Sequence, residues 1–243
     1  IYSWILVTST VFLIYTVLSV LLTFRIYGWP QRAAIVESVS TMVSFALSNV
    51  ARASQQTIDR VVAGLVASPD FVGQYAAGSR IFQLGIIPQQ SLWRTLYPGV
   101  FREAQNEIRR YRSFLKIALI LSISISSVSA LSISIINPFL PVVLGEEYEG
   151  IVPIATVAGL GLLPYAITIF SANALAGLKD YWVRTVYLYG AALFQSVVTV
   201  WSGIWVGEWS IPLTVFFARV TVAIVGVIIL WRALSRTISD IEG

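Results

Sequence analysis

The sequence contains no cysteine and no histidine, and charged residues make up only 12% of it. The first two absences exclude thiol chemistry, Ser-His-Asp triads, the usual imidazole proton shuttle and most transition-metal sites. Neither a metal site nor a cofactor is therefore predicted. Soluble domains carry about a quarter of their residues as charges, so half that share excludes an ordinary soluble fold. Lysine is nearly absent as well, with Lys116 and Lys179 the only two. Both lie at the ends of apolar runs, which excludes a retinal-binding protein, since that chemistry needs a lysine in the middle of the last span and Arg219 stands there instead.

What is present is apolar length. Hydrophobic residues form 57% of the chain and the mean hydropathy is +0.79, so an all-α polytopic membrane bundle is predicted. Runs long enough to cross a bilayer fall at about 2–24, 34–66, 73–101, 114–143, 151–177, 183–206 and 210–231, seven in all. Of the 16 Lys and Arg, 11 lie in connections after the first, third, fifth and last spans. The alternate connections hold Asp70, the acidic set Glu146, Glu147 and Glu149, and Glu208, with no cation among them. By the positive-inside rule the N-terminus is outside and the C-terminus cytoplasmic. The net charge of +4 is thereby explained by topology, and no nucleic-acid partner is predicted.

The second and third spans are unlike the others. At about 100° per residue, Glu37, Ser38, Thr41, Ser48, Asn49, Arg52, Gln55, Gln56 and Asp59 fall on one stripe of the second, with Arg60 beside it. Arg80, Gln83, Gln90, Ser91, Arg94 and Tyr97 form the matching stripe on the third. Charges at mid-membrane cost several kcal/mol, so they face a protein interior or a polar pathway. Candidate cavity-lining and substrate-binding residues are accordingly Asn49, Arg52, Gln55, Asp59, Arg60, Arg80, Gln83, Gln90, Arg94 and Arg219. Asp59 and Arg80 lie equally far from the connecting turn and each on its helix's polar stripe, which predicts an ion pair between them. A membrane enzyme would need acids or histidine at the surface, and the Glu146–Glu149 loop is the single candidate, read more simply as solvated.

Several short stretches carry a family likeness. Thr57 to Leu65 (TIDRVVAGL), Asp70 to Arg80 (DFVGQYAAGSR), Leu96 to Val100 (LYPGV), Pro138 to Tyr148 (PFLPVVLGEEY) and Asn173 to Asp180 (NALAGLKD) resemble, in order and spacing, the second lobe of Wzx-type polysaccharide flippases of the MATE-like MOP superfamily. The resemblance covers about residues 34–235. It implies two six-helix bundles around a central cavity, so that residues 1–33 would be the last helix of a first lobe plus a cytoplasmic connection, and 34–243 the second lobe. The first lobe would then be a missing partner, and the chain as it stands should not transport. It further implies a non-enzymatic transporter of the plasma membrane. The cargo would be a lipid-linked oligosaccharide on polyprenyl pyrophosphate, with membrane lipid as a partner and a proton or Na⁺ as coupling ion. A cation or drug antiporter of the same superfamily is the alternative, although it would favour intramembrane carboxylates, and Asp59 and Glu37 are the only two candidates.

Overall fold

The structure is a computed structural model, and it describes residues 32–105, 108–145 and 148–242. The expected first span lies outside the described residues. The chain divides into two compact units, Ile1–Val43 and Ser44–Gly243. Of the first unit, residues 32–43 are described, and all are helical.

Every element is helical among the described residues. The order is α1 (Arg32–Val66), α2 (Pro69–Gln105), α3 (Ile108–Ile136), a 3₁₀ turn (Asn137–Phe139), α4 (Leu140–Leu144), α5 (Ile151–Leu160), α6 (Leu162–Gly177), α7 (Tyr181–Trp205) and α8 (Ser210–Glu242). Among the described residues, four stretches are long and apolar enough to cross a membrane: Ile108–Val143, Ile151–Gly177, Tyr181–Trp205 and Ser210–Thr237. α1 and α2 have 35 and 37 residues, which at 1.5 Å per residue exceeds a bilayer core. Their polar stripes keep them out of that apolar set.

The breaks follow from local chemistry. Pro69 starts α2, where its missing N–H costs nothing, and the Ser68 hydroxyl accepts from the Phe71 N–H at 3.4 Å as an N-cap. The turn between α1 and α2 is therefore only Ala67 and Ser68, shorter than the gap between the expected spans 34–66 and 73–101. Pro138 stands in the 3₁₀ turn. Pro164 cannot donate to the Leu160 carbonyl, and the predicted fifth span is divided at Gly161 into α5 and α6.

Within Ser44–Gly243, α6 is the central helix. Every residue from Tyr165 to Gly177 except Ile167 is buried. The Tyr111 hydroxyl of α3 donates to the Ala174 carbonyl at 2.6 Å, fastening α3 to it. α7 is held to α1 by a hydroxyl cluster: Thr185 Oγ1 lies 2.7 Å from Ser44 Oγ and 2.9 Å from Ser48 Oγ. That clasp sets the register that brings Arg184 beside Phe45.

Candidate functional site

A recess of about 570 Å³ opens between α1, α2, α6 and α7. α1 contributes Phe45, Asn49 and Arg52, one helical turn apart; α2 contributes Gln90, Arg94 and Tyr97 at spacings of four and three, which places each set on one helix face. Tyr165 and Asn173 of α6 and Arg184 of α7 complete the polar wall. Among the described residues, no Asp or Glu lines it.

Arg184 is the most constrained of these groups. It is 2% exposed, and its guanidinium carbon lies 4.6 Å from the centre of the Phe45 ring. Its Nε and Nη1 have no hydrogen-bond acceptor, and neither does Nε of Arg52. Phe45 is itself fixed by Tyr181, 5.4 Å away between ring centres, and by the edge of Tyr97 at 6.4 Å. A cation–π contact recovers part of the cost of desolvating a cation, but it leaves the in-plane donors unused. Buried donors of a charged group without an acceptor are costly, and planar guanidinium forks match phosphate and carboxylate oxygens. The recess is thus an anion-accepting surface with amide and hydroxyl neighbours.

A second space, about 20 Å³, lies between α1, α2, α5 and α8, room for one water. Asp59, 4% exposed, accepts from the Tyr75 hydroxyl at 2.9 Å and from the Arg60 N–H at 2.9 Å. Its Oδ2 is 3.9 Å from Arg219 Nη2. Arg219 is buried, with its guanidinium carbon 4.0 Å above the Phe82 ring. Gln56 borders this space and donates from Nε2 to the Tyr165 hydroxyl at 2.7 Å. That bond joins the small space to the large recess.

The sequence-derived candidates therefore separate. Asn49, Arg52, Gln90 and Arg94 line the recess, and Asp59 and Arg219 line the small space. The expected Asp59–Arg80 ion pair does not form: Arg80 is exposed, and the carboxylate is held by Tyr75 and Arg219 instead. Equal depth in a hairpin fixes height but not azimuth, and Tyr75 is the α2 residue whose azimuth faces Asp59. Gln55 is buried, with its backbone carbonyl accepting from Gln195 Nε2 at 3.1 Å, so it sits against α7. Arg60 folds back so that Nη2 donates to the Gln56 carbonyl at 3.1 Å. Gln83 is half-buried and, like Gln55, Arg60 and Arg80, lines neither space.

Arg184 was absent from the sequence-derived set. It lies one turn into α7, where a cation reads as a topological charge. The one signal that could have found it is Trp182, two residues earlier, which as an interface anchor would place Arg184 on the membrane side.

No family model matches the chain, and neither does any curated protein or solved structure.

Proposed function

We propose that the chain is the second lobe of a plasma-membrane flippase that moves a polyprenyl-pyrophosphate-linked oligosaccharide between leaflets by alternating access. In this reading it has seven spans, the N-terminus outside and the C-terminus cytoplasmic. The carrying observation is the recess, which Arg52, Arg94 and Arg184 line with no carboxylate among the described residues. A diphosphate ester offers the oxygens that the free Arg184 and Arg52 donors lack. Asn49, Gln90 and Asn173 supply neutral donors and acceptors suited to sugar hydroxyls. The motif resemblance supplies the substrate class, and a polar cargo accounts for the expense of mid-membrane arginines.

Against the cation-antiporter alternative stands Asp59, whose carboxylate is already occupied by Tyr75, the Arg60 N–H and Arg219. An organic cation would have to displace a buried arginine.

The test is export by the complete transporter carrying Arg52→Ala, Arg94→Ala or Arg184→Ala. Export should be lost while membrane insertion and abundance are retained. Undiminished export in all three variants overturns the proposal.

A further inference from the structure

Away from the recess, a trough of about 330 Å³ runs between α3 and α8 with Phe170 of α6 at its floor. Its walls are Leu115 and Leu119 on α3 and Val227, Leu230, Trp231 and Leu234 on α8, and the polar groups that line it are Arg112 and Lys116. No acid lines it. Arg112 and Lys116 are four residues apart, one above the other on α3, and both are exposed. Val227 and Trp231 on the opposite wall are 47% and 67% exposed, so the trough opens sideways rather than into the bundle.

A cationic pair at one end of an apolar, laterally open slot is the chemistry of a phospholipid: anion at the head, hydrocarbon along the body. A docked helix is a poorer occupant. Close helix approach in a membrane needs small residues on the contact face, whereas the trough is lined by leucine, valine and aromatic side chains, with no glycine, alanine or serine. A larger groove between α7 and α8 mixes Asp180 with Arg232 and Arg236, and its charge is less one-sided. Clusters of Lys and Arg at the cytoplasmic ends of membrane helices are where anionic head groups bind.

We propose that the α3–α8 trough is a binding site for an anionic phospholipid of the surrounding bilayer. The lipid phosphate sits between Arg112 and Lys116, and one acyl chain lies along Leu119, Val227 and Leu230 over Phe170. Neither group belongs to the recess, so the proposal stands or falls separately from the transport reading.

Native mass spectrometry of the purified protein, titrated with phosphatidylglycerol and separately with phosphatidylcholine, reads the site directly. The unaltered protein should retain phosphatidylglycerol preferentially. Arg112→Gln with Lys116→Gln should reduce that preference by about thirty-fold, taking roughly 1 kcal/mol per cation near the surface. Arg102→Gln with Arg109→Gln, which removes two charges outside the trough, should leave it unchanged. Val227→Trp, which fills the trough from an exposed position, should reduce retention of phosphatidylglycerol although every charge remains. Equal retention of the two lipids by the unaltered protein overturns the site. So does equal loss in both double-Gln variants, which would show diffuse attraction. Unchanged retention in Val227→Trp also overturns it, since a free phosphate would be indifferent to the filled slot.

Discussion

The Asp59 carboxylate stands 3.9 Å from the Arg219 guanidinium, linking α1 to α8 across 160 residues of sequence. Both groups are buried, and each has a second neighbour: the Tyr75 hydroxyl for the acid and the Phe82 ring for the base. Four helices thus meet at one charge pair, since α5 closes the same space with Ile154 and Val157. The geometry is a junction and not a strong bidentate bridge, so its main energetic content lies in what happens when one half is lost.

Removing one partner of a buried pair leaves an uncompensated charge, at a cost of about 3–5 kcal/mol. Arg219→Leu should therefore lower the unfolding midpoint of the purified protein sharply. Adding Asp59→Asn to it should restore most of the loss, because the remaining groups are then neutral. A double variant as unstable as the single one would show that Arg219 acts through packing on Phe82 instead.

Arg184 should behave in the opposite way. It is buried without an acceptor on Nε or Nη1, so replacing it with an apolar chain of similar length removes the cost of leaving buried donors of a charged group unsatisfied, about 1–3 kcal/mol or more. Arg184→Met is expected to raise the unfolding temperature of the unliganded protein. Inorganic pyrophosphate should raise the midpoint of the unaltered protein by ligand linkage and leave that of Arg184→Met nearly still. Thermal scans with and without pyrophosphate provide the check.

Two glycines give a paired prediction about packing. A Cβ on Gly177 would stand 2.6 Å from Val100 Cγ1 and press on the Tyr111 hydroxyl, the same hydroxyl that holds the Ala174 carbonyl. A Cβ on Gly190 meets nothing within 4 Å. Gly177→Ala should destabilise by about 1–3 kcal/mol through overpacking, whereas Gly190→Ala should stabilise by up to about 1 kcal/mol through helix propensity. Parallel denaturation of the two variants measures the difference.

Much of this was legible in the sequence where one helix decides the outcome. Periodicity places Asn49 with Arg52, and Gln90 with Arg94, on shared faces, and those residues do line one recess. Pro138 and Pro164 stand beside the divisions after Ile136 and Leu160, although the apolar runs 114–143 and 151–177 read as unbroken spans. What the sequence did not contain was the relation between helices. Asp59 could be matched to Arg80 by depth, yet the partner came from α8, because the rotation of each helix about its own axis is set by packing. Gln55 shares the stripe of Arg52, but the pattern could not say that this edge of the stripe would be covered by α7. Arg184 is legible as a charge near a helix end and illegible as a buried one, since its burial depends on the Thr185 clasp to Ser44 and Ser48.

The recess that lacks a counter-charge also has an electrical consequence. In the alternating-access cycle proposed above, a lobe loaded with a diphosphate ester moves its cations together with negative charge. The empty lobe moves Arg52, Arg94 and Arg184 unaccompanied. Each elementary charge carried through the membrane field exchanges about 2.3 kcal/mol per 100 mV. On that reading the diester's two negative charges offset two of the three arginines, so a membrane negative on the inside would act on about one net charge in the loaded step and on three in the empty one, drawing the empty recess back toward the cytoplasm. If the proposed cycle holds, resetting the carrier, rather than moving its cargo, would be the step that the membrane voltage favours.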